Sequence, residues 1–388
     1  MEKLDILHVP ASETITINTL AMQKRARGET VFNLSAGEPM LPIAPAIANA
    51  TIKAIGEEKT HYPPIAGIPE LRQAASKWMN EWYGSMLDVS NTLVVPGGKF
   101  GLFILFQALL KPGDEVIIPA PYWVSYPSMV KIFFGVPKIV TSTAKTGWKV
   151  TAKEVEKAIT KKTKLLLLNN GGNPTGALYS ATELKDIMAM AVKHGVLVIS
   201  DEVYSGLVYD NKKYVSCGSF KEYKDNLIII HSCSKSFAMT GLRVGFVFAA
   251  PEIVKALTGL VSQSTSGATT IAQWGALGGF QNAKKIIPKI NKEMQKRRDI
   301  FMREFNKTFK QKLLPPASGL YAFISLKAMG HPGNDSGKFC QSAMEHANVA
   351  IIPGSAFGVE GYVRFSFGED PKVLKAGINA LAKYLFVT

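Results

Sequence analysis

Cysteine is scarce in this chain: Cys217, Cys233 and Cys340 are the three in 388 residues. An odd number without metal-type spacing excludes a disulfide framework and a zinc site, and no metal is expected. Long apolar runs are missing too. None approaches the roughly 18 residues of a membrane-crossing helix. The opening Met1-Glu-Lys-Leu-Asp5 lacks a basic stretch followed by an apolar one, so a cytoplasmic protein is expected. Acidic residues are the minority, 30 Asp and Glu against 45 Lys and Arg, leaving a net charge of +15. The basic residues are scattered without a nucleic-acid-binding signature, and Lys161-Lys162 and the run Lys292–Arg298 read as solvated faces. Neither nucleic acid nor a membrane is expected as a partner. A positive field is compatible with small dicarboxylate substrates. There is no internal repeat and no low-complexity tract.

What is present is enough apolar material, 47% of the chain, for a large core and two domains. Strand-like and helix-like segments alternate through residues 90 to 250, which predicts an α/β fold with a mainly parallel sheet covered on both faces. Ligands of such sheets bind at the C-terminal ends of the strands.

One stretch organises the rest, Ser232-Cys-Ser-Lys-Ser-Phe-Ala-Met-Thr-Gly-Leu-Arg-Val-Gly-Phe246. Two apolar runs, Leu227–Ile230 and Val244–Ala250, bracket it and place Lys235 at a sheet edge. Desolvation there and a neighbouring cation, Arg243, would favour a neutral amine able to attack a carbonyl and form a Schiff base. Arg243 and Ser232 together also suit phosphate oxygens. An aldehyde cofactor carrying a phosphate answers both, which means pyridoxal phosphate. Read alone, Lys235 is an ordinary solvated loop lysine.

Other segments add to it. Gly37, in the turn Ser35-Ala-Gly-Glu-Pro39, would let backbone approach a ligand. Thr92–Phe103 reads as strand, glycine turn and helix, an anion site at a helix start. Asp201 ends the buried run from Val196, where a carboxylate is costly unless a cation such as a protonated pyridine nitrogen meets it. Arg364 faces opposite to Val363 and Phe365 in a strand and should leave the core, towards a ligand or a surface salt bridge. A capping box, Ser180 to Glu183, starts a scaffolding helix from Ala181 to His194. Asn282 to about Phe309 reads as a long exposed helix linking two domains.

Taken together and in this order, these motifs resemble the fold type I pyridoxal-phosphate enzymes, class I aminotransferases, and among them the bacterial aspartate aminotransferases. The likeness runs from Ser12 to Arg364. It implies a large domain of residues 46–283 with a seven-stranded sheet, a smaller α+β domain of 14–45 and 284–388, and an N-terminal arm of 1–13. It implies Lys235 as Schiff-base lysine and proton carrier, with Gly98, Lys99, Ser232 and Arg243 at the phosphate. Trp123 would stack on the ring, Asn173 and Tyr204 would reach its hydroxyl, and Asp201 its nitrogen. Tyr62 would cross to the neighbour's phosphate, making a homodimer with shared active sites. For substrate the resemblance implies Ser12, Gly37, Trp123, Asn173, Lys99 at a distal carboxylate and Arg364 at the α-carboxylate.

The chain departs from the family in carrying Gly171-Gly172 before Asn173, which should loosen that loop. The implied activity is transfer of the amino group of aspartate to 2-oxoglutarate. Alternatives are an aromatic or prephenate aminotransferase, a lyase on the same scaffold, or a ligand-binding regulator. The last is disfavoured by the lack of a DNA-binding segment before residue 30.

Overall fold

A computed structural model describes residues 13–387, so Ser12 and most of the expected arm lie outside the described residues. Twelve strands follow in chain order: β1 (Phe32–Asn33), β2 (Thr92–Val95), β3 (Glu115–Ala120), β4 (Val136–Thr141), β5 (Thr163–Asn169) and β6 (Leu197–Asp201). The rest are β7 (Leu227–Ser232), β8 (Gly245–Phe248), β9 (Tyr321–Ser325), β10 (Val349–Ala350), β11 (Ile352–Pro353) and β12 (Tyr362–Ser366).

The main sheet has seven strands in the order β2-β8-β7-β6-β5-β3-β4. Only β8 runs against its neighbours β2 and β7, and every other pairing is parallel, as expected. The apolar runs that predicted the strands fill both faces because alternate side chains point to opposite sides. Leu165 and Leu167 of β5 enter one hydrophobic cluster, whereas Leu166 and Leu168 enter the other. A second sheet, β11-β12-β9, is antiparallel, and β1 pairs with β10.

This order puts the chemistry on one rim. Strands β3, β5, β6 and β7 are parallel, so their C-terminal ends coincide, and Asp201 and Ser232 are the last residues of β6 and β7. Strand β8 is reversed, so Arg243, two residues before it begins, returns to the same rim. Lys235 sits just past β7 on a short helix, Cys233–Ser236. Since β7 is third in the sheet order, it occupies an interior column and not the expected edge.

The expected exposed helix needs correction as well. Helix Ala283–Thr308 buries Ile286, Ile290, Met294, Phe301 and Phe305 along one face. Arg297 and Arg298, expected in a solvated run, are 6% and 2% exposed. Burial is sustained by partners: Arg298 forms a forked pair with Asp210 at 2.6 and 2.7 Å and lies over the Tyr209 ring. Arg297 donates to the carbonyls of Met40 (3.2 Å) and Gly368 (2.5 Å). The capping box at Ser180 is present, with the helix ending at Lys193.

Candidate active site

A cavity of about 350 Å³ opens on the rim above β5, β6 and β7. Its floor is Asp201, 4% exposed, with Lys235 beside it. Burial pushes the Asp201 carboxyl up to about 6, against the Tyr126 hydroxyl, which donates to Oδ2 at 2.6 Å and favours the ionised form. Burial pulls the Lys235 amine down to about 8. Glu38 opposes that shift, and Arg364 and Arg243 reinforce it. The amine donates to the carbonyl oxygen of Gly37.

At one end of the cavity, Gly98 opens helix Gly98–Leu109. A Cβ on Gly97 would strike the Arg243 guanidinium, and a Cβ on Gly245 would strike the Gly97–Gly98 backbone, so these turns pack without side-chain room. Arg243 itself adopts φ 56° and donates to Thr240 O at 2.8 Å. Ser232 lines the same end, where its hydroxyl donates to Ser234 Oγ at 2.8 Å and accepts from the Ser234 N–H at 3.1 Å. Helix-start N–H groups, a hydroxyl and a guanidinium make an anion cradle.

The opposite end carries Arg364 from β12. It leaves the apolar cluster that holds Val363 and Phe365, as expected, yet at 1% exposure it does not reach solvent. It donates to Asn173 Oδ1 at 3.0 Å and Ser35 O at 2.6 Å, while its Nε is buried without a partner among the described residues. The guanidinium stands 4.3 Å from the Tyr321 ring centroid. On the wall, Lys99 Nζ lies 4.8 Å from the Trp123 ring centroid; desolvation and Arg243 both lower its pKa. Tyr204 bonds hydroxyl to hydroxyl with Tyr321 at 3.0 Å, and burial raises its pKa well above the ordinary value.

Eleven expected site residues thus converge on one cavity, and Tyr62 does not: it is 87% exposed and away from the lining. The loop before Asn173 is enclosed where a loose one was expected. Gly171 N–H donates to Ala177 O at 2.8 Å and Asn173 N–H to Asn169 Oδ1 at 3.0 Å. A Cβ on Gly172 would overlap the Asn169 side chain, so glycine here permits tight packing.

Sequence reasoning missed Tyr126, Tyr321 and Ser234. Tyr126 had a signal in its spacing, three residues after Trp123; the fold closes that turn through Tyr126 N–H donating to Trp123 O at 3.0 Å and sets the two rings edge to face at 5.3 Å. Its hydroxyl predicts a measurable effect. Tyr126→Phe should raise the Asp201 pKa above about 6 by roughly one unit, because hydrogen bonds to charged groups are worth about 1.5–3 kcal/mol. An infrared titration of the carboxylate stretch with labelled aspartate reads this, and an unchanged midpoint would deny the bond its role.

Residues 29–381 match the family model described as aminotransferase class I and II. A probable aspartate/prephenate aminotransferase of Aquifex aeolicus is 37% identical over 98% of this chain and 97% of its own length. The aspartate aminotransferase of Geobacillus stearothermophilus is 35% identical, covering 96% of each chain. Among solved structures, the Thermus thermophilus aspartate aminotransferase with maleate superposes with a TM-score of 0.92 at 33% identity, over 97% of both chains.

Proposed function

This chain belongs to the class I and II aminotransferase family, and from that premise we propose that it moves the amino group of L-aspartate to 2-oxoglutarate in two half-reactions. Pyridoxal 5'-phosphate is the cofactor that the family implies, and the cavity's donor set fits it. The anion cradle at Gly98, Ser232 and Arg243 suits the phosphate, and the buried Asp201 carboxylate suits a ring cation. When bound, the cofactor supplies a carbonyl for an amine to condense with and a ring that accepts electrons.

The observation that carries the reading is the pair of cations beside Lys235. Among the described residues neither Arg364 nor Lys99 has a carboxylate partner, though both line the cavity. Arg364, a buried cation without a counter-ion, suits an anionic ligand, and Lys99, a more exposed cation on the cavity wall, suits the second carboxylate of a dicarboxylate. Arg364, oriented by Asn173 and Ser35, takes the α-carboxylate, and Lys99 takes the distal one. Lys235 Nζ takes the proton from the substrate Cα, an atom the two clamps hold near it. Asp201, oriented by Tyr126, would hold a proton on the cofactor's ring nitrogen. Trp123 would stack on the ring, and Tyr204 with Asn173 would hold its hydroxyl. The exposed Tyr62 reaches the partner in a homodimer. Residues 46–283, which contain every strand of the seven-stranded sheet, form the large domain.

A screen of amino donors and 2-oxo acids tests the reaction. Aspartate and glutamate should convert the cofactor's absorbance to that of its amine form, and oxo acids should reverse it; loss of the substrate's side chain or carboxyl group would mean a lyase instead. A prephenate-type acceptor belongs in the same screen, because one relative's name carries it beside aspartate. The second clamp gives its own prediction. Lys99→Ala should lower kcat/KM for aspartate by roughly tenfold or more, as a charge-assisted contact is worth about 1.5–3 kcal/mol, and spare monocarboxylic amino acids. A uniform loss across both substrate types would move Lys99 to the phosphate and remove the reason for choosing a dicarboxylate.

A further inference from the structure

The amine of Lys235 is held by a loop whose acidic residue has no place in the scheme above. Lys235 Nζ donates to Gly37 O, and the next residue is Glu38. The Glu38 carboxylate accepts a 2.6 Å hydrogen bond from Thr240 Oγ1, four residues beyond the helix that carries the lysine. The loop cannot drift. Ser35 is tied to Arg364 and to Asn33, Met40 N–H donates to Gly368 O at 3.0 Å, and a Cβ on Gly37 would collide with the Tyr321 hydroxyl.

Charge around the amine is unbalanced. The cations acting on it are Arg364 from β12 and Arg243 before β8, and the phenols of Tyr204 and Tyr321 line the same cavity, with Lys99 further off against Trp123. Against these two cations the lining offers one carboxylate, Asp201, which is already engaged by Tyr126. Glu38 is the second, and its charge acts on the lysine in the direction opposite to Arg364 and Arg243.

We propose that Glu38, clipped in place by Thr240, is the positioning residue whose charge keeps a proton on the Lys235 nitrogen and so sets the pH at which that nitrogen changes state. The inference rests on Lys235 as the lysine that takes the cofactor. Its chemical sense is that a proton carrier works best with a pKa near the working pH. Burial beside Arg364 and Arg243 alone would drive the nitrogen too far down.

Two readouts on the full-length chain separate this idea from a structural role. One is the pH midpoint of Lys235 acylation in cofactor-stripped protein, followed by peptide mass spectrometry. The other is the pH midpoint of the visible absorbance of the cofactor-loaded protein. Glu38→Gln keeps an acceptor for Thr240 but removes the charge, and should lower both midpoints by about one unit. Thr240→Val keeps the charge but frees it, and should lower both by less. Unmoved midpoints in Glu38→Gln would overturn the proposal, as would a larger shift in Thr240→Val than in Glu38→Gln. Lys235→Ala is the control: its weakly held cofactor should show no pH-dependent shift of visible absorbance, and a shift that survives the substitution refutes the cofactor role of Lys235, while the acylation midpoints still decide whether Glu38 governs the amine.

Discussion

Lys235→Ala is expected to lower transamination by at least about 10³-fold, the scale of a positioned acid–base group with loss of the covalent attachment added. The cavity contains one other lysine, Lys99, on the wall against Trp123. The anion cradle at Gly98, Ser232 and Arg243 is untouched by the substitution, so the protein should still bind the cofactor weakly and reversibly. Dialysis with absorbance detection measures that retention, and stopped-flow mixing with aspartate measures the rate. A variant turning over at the normal rate without added amine would refute the assignment.

Asp201→Ala should cost the next most. Removing one partner of a buried charge pair costs about 3–5 kcal/mol, so a rate loss of roughly 150- to 5,000-fold is expected in single-turnover deprotonation. Tyr204→Phe removes one neutral hydrogen bond, worth about 0.5–1.5 kcal/mol, and should slow the same step by no more than about tenfold. The structure sharpens the contrast: Tyr204 shares its hydroxyl with Tyr321, whereas among the described residues the Asp201 carboxylate meets only Tyr126 and the Val203 N–H. Equal losses in the two variants would contradict the ranking.

The parallel sheet was legible because its strands are short continuous apolar runs separated by helical periodicity, as at Leu165–Leu168 and Ile228–Ile230. The rim was legible because its polar residues stand where those runs stop, as Asp201 and Ser232 do. Interactions across long separations were not. Arg297 and Arg298 look like any other members of a basic helix until Asp210 and the carbonyls of Met40 and Gly368 are brought to them by the fold. Tyr321 gave no signal, since its place depends on β9 packing beside β12 and beneath Gly37. The closeness of Gly172 to Asn169 likewise lies in backbone geometry, which composition does not encode.

The contact between Arg364 and Ser35 spans 329 residues of sequence, that between Arg364 and Asn173 spans 191, and that between Lys235 and Gly37 spans 198. Contacts so remote incur loop-closure entropy before they return any energy, which places them late in folding. The sheet, by contrast, can pair within residues 92–248 while translation is still in progress. A nascent chain can therefore assemble the Gly98, Ser232 and Arg243 end of the cavity first, and Arg364 joins it only after residue 364 has left the ribosome. Arrival of the cofactor at the half-built cradle would then make it a template on which the two ends of the chain meet.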